Sequence, residues 1–312
     1  MNISVVIIAK HAEKTIHHTV HSLVQQIRAP DEILVVTDSR KDPTLDSVKD
    51  YPVKVAIGKG GVGAARKKGV CAATGDVIAF IDADAVADTK WIDVIMERFR
   101  KSNVNVLAGK TIEVNDLSTF SPAKEEGSHK ETFLRFAPTM NIAFRRSLID
   151  KVGNFDSNFK KGGEDTDFCV RIRKKGERIV YVPRATVYHL KHTLDLKRRW
   201  RDGRSRCKVF LKHPSYALSD AGIVLFHIFA IISSFFFLIR AQYVLSLMFF
   251  APSFVHRLYR AMINVKNGSS IVEGLWKSFS SYIAYFAFTL YLVTNSISQA
   301  LNLSENTEDK GE

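Results

Sequence analysis

Cysteine is scarce. Cys71, Cys169 and Cys207 are the only three in 312 residues, too few for a disulfide framework and too widely spaced for a C-x-x-C redox or zinc pair. A reducing compartment fits such a set. The start also lacks a basic stretch and a small-residue cleavage site, because Met1-Asn2 runs straight into an apolar strand pattern; no secretory signal is read there, and the N-terminal part is expected to stay in the cytosol. Acidic residues are outnumbered, 32 Asp and Glu against 45 Lys and Arg, for a net charge of +13. That excess points to partners carrying negative charge: nucleic acid, anionic lipid headgroups or phosphorylated small molecules.

What is present has two parts. Up to about Leu190, short β-branched runs alternate with longer helical patterns, the rhythm of an α/β domain with a largely parallel sheet. Strands are expected at Ile3 to Ala9, Glu32 to Val36, Val53 to Ile57, Val77 to Ile81 and Val104 to Ala108. Glu13 to Gln26, Gly63 to Ala73 and Trp91 to Lys101 repeat apolar residues three or four apart, as helices packing one face on a sheet do. A Rossmann-like layer follows.

Beyond Leu218 charge thins abruptly. Ala221 to Ile239 carries no Asp, Glu, Lys or Arg over 19 residues, enough to cross hydrocarbon as a helix. Ala241 to Val255, with Pro252 inside, and Phe279 to Leu301 are further apolar runs. Two or three transmembrane helices are expected, the middle one short enough to be re-entrant; buried core helices are the alternative. Lys197 to Lys212 and the set Arg257, Arg260, Lys266 and Lys277 belong on the cytoplasmic side by the positive-inside rule. The expected organisation is a catalytic domain over residues 1–212, a membrane region over 219–303 and an acidic tail over 304–312. The stretch at about 194–212 reads as a basic juxtamembrane helix, with Leu196, Trp200, Gly203, Cys207 and Phe210 on one face. Such a helix lies on an anionic membrane surface, holds the phosphates of a lipid-linked acceptor, or is simply solvated.

The chemistry gathers at strand ends. Val77 to Ile81 stops at Asp82-Ala83-Asp84, two carboxylates that repel unless a divalent cation or a ligand hydroxyl neutralises them. An acidic loop before a helix is the plainer alternative. Asp38 follows the strand Glu32 to Val36 and offers an acceptor to a base or ribose, or caps a turn. The glycines of Gly58 to Gly63 lead into a basic helix carrying Arg66, where free backbone N–H groups and cations favour phosphate. A second acidic cluster, Glu164-Asp165-Thr166-Asp167, opens another helix, where carboxylates also complement the helix dipole.

These residues resemble glycosyltransferase family 2, with the nucleotide-diphosphosugar-binding GT-A fold. The resemblance covers roughly Asn2 to Lys212 and rests on Ser4-Val5-Val6-Ile7-Ile8, Val36-Thr37-Asp38-Ser39, the stretch from Gly61 to Gly69 with Arg66, Ala73-Thr74-Gly75-Asp76 and Asp82-Ala83-Asp84. It continues through Met140-Asn141-Ile142-Ala143-Phe144-Arg145-Arg146, Gly153-Asn154-Phe155-Asp156 and Gly163-Glu164-Asp165-Thr166-Asp167-Phe168. It implies that Asp38 contacts the nucleobase, that Asp82 sits near the ribose and the metal, and that Asp84 binds Mg²⁺ or Mn²⁺ on the diphosphate. Arg66 is implied on the donor side, Asp165 as the general base, and Glu164 and Asn141 on the acceptor side. His189, or His192 in its place, is implied as a metal or diphosphate contact. The loop after the first strand departs from the family pattern, with Ile8-Ala9-Lys10-His11-Ala12-Glu13 in place of a proline, a hydroxyl and a tyrosine or asparagine; Glu13 is the donor contact expected there, or it sits in the first helical turn. The Q-x-x-R-W motif of processive synthases is incomplete, Leu196 standing three residues before Arg199-Trp200, so addition of a single sugar is expected.

The expected function is therefore metal-dependent, inverting transfer of a sugar from a UDP- or GDP-sugar to a lipid-linked or cell-surface glycan acceptor. The expected location is a multi-pass membrane protein with its catalytic domain at the cytoplasmic face and membrane lipids, not nucleic acid, as partners. Transfer to polyprenyl phosphate itself is one alternative, and a non-catalytic basic membrane scaffold is another.

Overall fold

The computed structural model describes residues 1–117, 131–192, 195–214, 243–266 and 270–291, with single residues and short pieces between 226 and 239 and residue 294. Two compact units result, Met1–His192 and Thr193–Glu312. In the first, the chain runs β1 (Ile3–Ile8), α1 (Ile16–Val24), β2 (Glu32–Thr37), a 3₁₀ helix (Pro43–Val48), β3 (Val53–Ile57), α2 (Val62–Ala72), β4 (Val77–Asp82), β5 (Ala85–Ala87) and α3 (Trp91–Lys101). It continues through β6 (Val106–Val114), β7 (Thr132–Leu134), β8 (Asn141–Arg145), α4 (Leu148–Val152), α5 (Glu164–Lys174) and β9 (Ile179–Leu190).

The strands order as β3-β2-β1-β4-β8-β6-β9-β5, with β7 on β9. From β3 to β4 neighbouring strands are parallel, but β8 runs antiparallel to both β4 and β6. The sheet is thus mixed rather than largely parallel, and β8 is a strand that local periodicity did not single out. Its five residues are almost all buried, so no alternation marks them.

Period-two alternation splits the core into two layers. Ile3, Val5 and Ile7 of β1 and Val77, Ala79 and Ile81 of β4 face α1 and α3, packing on Val20, Leu23, Ile95 and Phe99. Val6, Ile78 and Phe80 face the other way, against Ala65, Leu148, Phe168 and Ile172 of α2, α4 and α5. Burial on both faces is why these strands read as nearly unbroken apolar runs.

Three polar ties set the sheet. Glu32, buried at the start of β2, accepts from Ser4 Oγ at 2.5 Å, Lys54 Nζ at 2.9 Å and the Thr74 amide at 2.9 Å. Burial opposes its charge, but these donors prevail and lower its pKa to about 2. Arg146 donates to the carbonyl of Gly75 at 2.9 Å and to that of Ala73, closing the turn before β4. Asn141 acts where the parallel β6–β9 ladder slips: Gly109 pairs with Val182, but Lys110 pairs with Thr186. Its Nδ2 donates to the carbonyls of Lys110 at 2.8 Å and Ala185 at 2.9 Å, and its Oδ1 accepts from Trp91 Nε1 at 3.0 Å. The side chain supplies the bonds that the interrupted ladder lacks.

In the second unit, α6 (Leu196–Lys212) is N-capped by Asp195, whose side chain accepts from the Arg198 amide. The middle of its apolar face, expected to meet a membrane, packs on the chain itself: Cys207 clusters with Tyr285 and Phe288, and a Cβ on Gly203 would stand 1.9 Å from the Ala284 carbonyl, while Leu196 at the start of the helix stays exposed. This helix lies in the second unit. The apolar run expected to end at Val255 continues as one 24-residue helix, α7 (Tyr243–Lys266), through Arg257 and Arg260. Arg257 is 4% exposed, bonded to Tyr285 Oη, and stacked on the rings of Tyr282 and Tyr285. A short α8 (Ile271–Phe279) follows. Among the described residues no helix is long and apolar enough to cross a membrane. Most of Ala221 to Ile239, the end of Phe279 to Leu301 and the tail lie outside the described residues, as does 118–130 of the loop between β6 and β7.

Candidate active site

Because β1, β2 and β4 are parallel and in register, their carboxyl ends form one rim, where ligands of open α/β sheets bind. Ile8 of β1 pairs with Val36 on one side and Asp82 on the other, so Asp38 and the Asp82-to-Asp84 turn flank the same strand end. Lys10, just past β1, contacts the Asp38 carboxylate, and that bond and charge hold the ammonium proton more tightly than usual. The loop carrying it is fastened down. Ala9 N–H donates to the Val36 carbonyl at 2.9 Å, Ala12 N–H to Thr44 Oγ1 at 2.9 Å, and His11 N–H to Asp42 at 3.3 Å, with His11 in the left-handed region at φ 51°. These three amides are consumed in holding the loop. Glu13 lies in the turn before α1 with Oε2 buried and without a hydrogen bond among the described residues.

The Asp82 and Asp84 carboxylates owe their partners to strand register. β5 pairs antiparallel with the end of β9, Ala85 opposite His189 and Val86 opposite Tyr188, and the Leu190 amide donates to the Asp84 carbonyl at 2.9 Å. This brings His189 Nε2 to 3.3 Å from Asp84 and 3.7 Å from Asp82, and His192 Nε2 to 2.6 Å from Asp84. Burial works against the His189 cation, but Asp82 and Asp84 outweigh it and lift its pKa to about 10. Burial also opposes the Asp84 carboxylate, which the two histidines nevertheless hold below the usual carboxylate range.

One ligand atom each from Asp84, His189 and His192 lie within 4.8 Å of one another. A first-row divalent ion with bonds of about 2.1 Å holds its ligands about 3–4 Å apart, so the set fits such an ion with little movement. Both histidines belong to this cluster, not one in place of the other, and Asp82 stands beside it through His189.

Arg66 is buried on α2 and pairs with Glu164 at the start of α5, its other amino group 3.9 Å from Asp82 Oδ1. Asp165, next in the chain, is half-buried; burial pushes its carboxyl up, while Arg66 and the Thr166 amide pull it back without cancelling the rise. Asp82, Asp84 and Asp165 are therefore linked through His189, Arg66 and Glu164, with Asp38 along the same rim.

Two expected site features are corrected. Asn141 is 2% exposed with its amide group committed to Trp91, Lys110 and Ala185, so it does not face an acceptor. Glu164 is equally buried against Arg66 and is no open acceptor contact. In the glycine loop two amides are taken: those of Val62 and Gly63 donate to the carbonyls of Lys160 at 3.2 Å and Phe159 at 3.0 Å. Gly61 and Gly63 are small because this segment lies on them; a Cβ at Gly63 would stand 2.3 Å from the Asp156 carbonyl.

The family model of Glycosyl transferase family 2 matches residues 4–159, which holds β1 to β4, the rim and Asp84. The chain belongs to glycosyl transferase family 2. With the family comes the enzyme class, a glycosyltransferase. The glucosyl-dolichyl phosphate glucuronosyltransferase of Haloferax volcanii is 28% identical over 218 residues, 61% of this chain and 69% of that one. The pre-mycofactocin glycosyltransferase of Mycobacterium tuberculosis is 29% identical over 171 residues, 49% of this chain and only 36% of that relative's length. Among solved structures, S. aureus TarS in complex with UDP-GlcNAc superposes with a TM-score of 0.54 at 17% identity, covering 95% of this chain and 92% of that one. GalNAc-T7 with UDP, GalNAc and Mn²⁺ superposes with a TM-score of 0.52 at 19% identity, covering 62% and 44%. At these identities the structural likeness speaks for the fold.

Proposed function

We propose that this glycosyltransferase moves a single sugar from a UDP-sugar, with inversion, to a lipid-linked acceptor at the cytoplasmic face of a membrane. The observation that carries the reading is the Asp84, His189 and His192 cluster beside Asp82 on the rim that also bears Asp38. Asp38 and Lys10 border the nucleoside end, and Asp82 the ribose. Bound at the cluster, a divalent cation supplies positive charge that stabilises the departing diphosphate; two imidazole donors favour Mn²⁺ over Mg²⁺. Asp165 takes the proton from the acceptor hydroxyl as that oxygen bonds to the anomeric carbon and the bond to the diphosphate breaks. Burial that raises its pKa also brings its basicity nearer neutral pH.

Support for UDP comes from the UDP and UDP-GlcNAc complexes of fold neighbours, and for a lipid-linked acceptor from the name of the Haloferax relative. Membrane association draws on apolar side chains that α7 and α8 leave exposed, among them Leu247, Met248, Met262, Ile271 and Val272, with Arg260 and Lys266 on the same α7. The test uses the full chain with Mn²⁺. UDP-sugars, not GDP-sugars, are expected to raise its melting temperature, and transfer to a short-chain polyprenyl-phosphate sugar is expected to fall at least ~100-fold in Asp165→Asn with donor binding intact. Undiminished turnover in a folded Asp165→Asn protein removes the base assignment, and no shift with any UDP-sugar removes the donor.

A further inference from the structure

Arg66 and Glu164 face each other with side chains only 10% and 3% exposed. Bringing two charges out of water is costly, and a buried pair is weak evidence of a stabilising role. This pair is also not closed on itself. Arg66 Nη2 reaches toward Asp82 at 3.9 Å, while Arg66 Nε and Glu164 Oε2 are buried without hydrogen-bond partners among the described residues. One guanidinium therefore serves carboxylates on two elements: Asp82 at the end of β4, and Glu164 and its neighbour Asp165 at the start of α5. The chain enters α5 through Gly163 at φ 94° with no side-chain cap, so the direction of its first turn depends on ties such as this one.

We propose that the Arg66–Glu164 pair is a positioning device for Asp165, aiming the first turn of α5 at the rim and setting how basic its carboxylate is, and that Arg66 is not a donor ligand. The inference rests on Asp165 as the base. The groups facing Asp165 are Arg66 from α2, Thr166 and Cys169 from its own helix and, through Arg66, Glu164 at the start of α5 and Asp82 from β4. Two substitutions then act in opposite senses. Without the guanidinium, burial and the Glu164 charge push the Asp165 proton on. Without the Glu164 charge, the guanidinium is less neutralised and pulls the proton off.

The experiment measures the acid limb of kcat/KM against pH for the full chain with Mn²⁺, and donor affinity by calorimetry. Arg66→Met is expected to move the limb up by about one unit or more, Glu164→Gln to move it down by about half a unit, and Arg66→Lys to recover most of the lost rate. Donor Kd should stay within about threefold in all three, since no bond to donor is removed. Limbs that stay in place or move in the same direction overturn the proposal, as does tenfold weaker donor binding in Arg66→Met. Should Arg66→Met fail to fold, Glu164→Gln, nearly the same shape, decides alone by whether its limb moves down. Failure of the underlying reading looks different: Asp165→Asn stays active, whatever the other variants do.

Discussion

Asn141→Ala separates a role in holding the sheet from a role at the acceptor. In the native protein its amide group satisfies Trp91 Nε1 and the carbonyls of Lys110 and Ala185, at 3.0, 2.8 and 2.9 Å, all in a site 2% exposed. Alanine strands the buried Trp91 Nε1–H and the buried Ala185 carbonyl and removes a bond to the half-buried Lys110 carbonyl. Each costs about 1–3 kcal/mol when stranded; water entering the vacated space recovers part, so a loss of about 3–4 kcal/mol is expected, near the top of the range for point substitutions. Urea denaturation of the full chain, followed by tryptophan fluorescence, reads this directly. With a slope of about 2.5 kcal/mol/M, the midpoint falls by about 1.4 M. The slip in the β6–β9 ladder lies upstream of His189 on β9, so Mn²⁺ affinity should fall as well, while acceptor KM in the residual folded enzyme stays near the native value. A variant within about 1 kcal/mol of native stability but with acceptor KM raised tenfold would refute the structural role.

Three further outcomes are expected. Glu32 has its pKa lowered to about 2, so its ties stabilise the fold fully above its unfolded value near 4.5, and that stability drains away as pH falls toward 2; Glu32→Gln should cost about 2 kcal/mol at pH 7 and flatten the acid limb of the melting-temperature curve. An unchanged limb would place the acid sensitivity elsewhere. Gly63→Ala puts a methyl 2.3 Å from the Asp156 carbonyl, forcing α2 and the 156–160 segment apart, and should lower stability by about 2 kcal/mol or more; calorimetric melting at native temperature would contradict the packing. His192→Ala should weaken Mn²⁺ binding at least ~10-fold by calorimetry, with His17→Ala as a neutral control, and equal affinities would remove His192 from the cluster.

Local pattern alone determined much of this protein. The strand and helix alternation of the first unit, the acidic ends of β2 and β4 and the helix start at Glu164-Asp165 are all legible, because apolar periodicity and abrupt polar stops are properties of neighbouring residues. Tertiary structure decided what those residues meet. His189 and His192 reach Asp84, more than a hundred positions earlier, only because β9 pairs with β5 in one particular register. Arg66 gained a buried partner in Glu164, the Val62 and Gly63 amides went to the 159–160 carbonyls, and the Asn141 amide group filled a gap in the sheet. Arg257 likewise found a pair of tyrosine rings that its place in the sequence does not announce. A residue's type states which bonds it can form, but pairing between distant strands and competition for buried partners choose which ones it does form, and neither is written in the spacing of one segment.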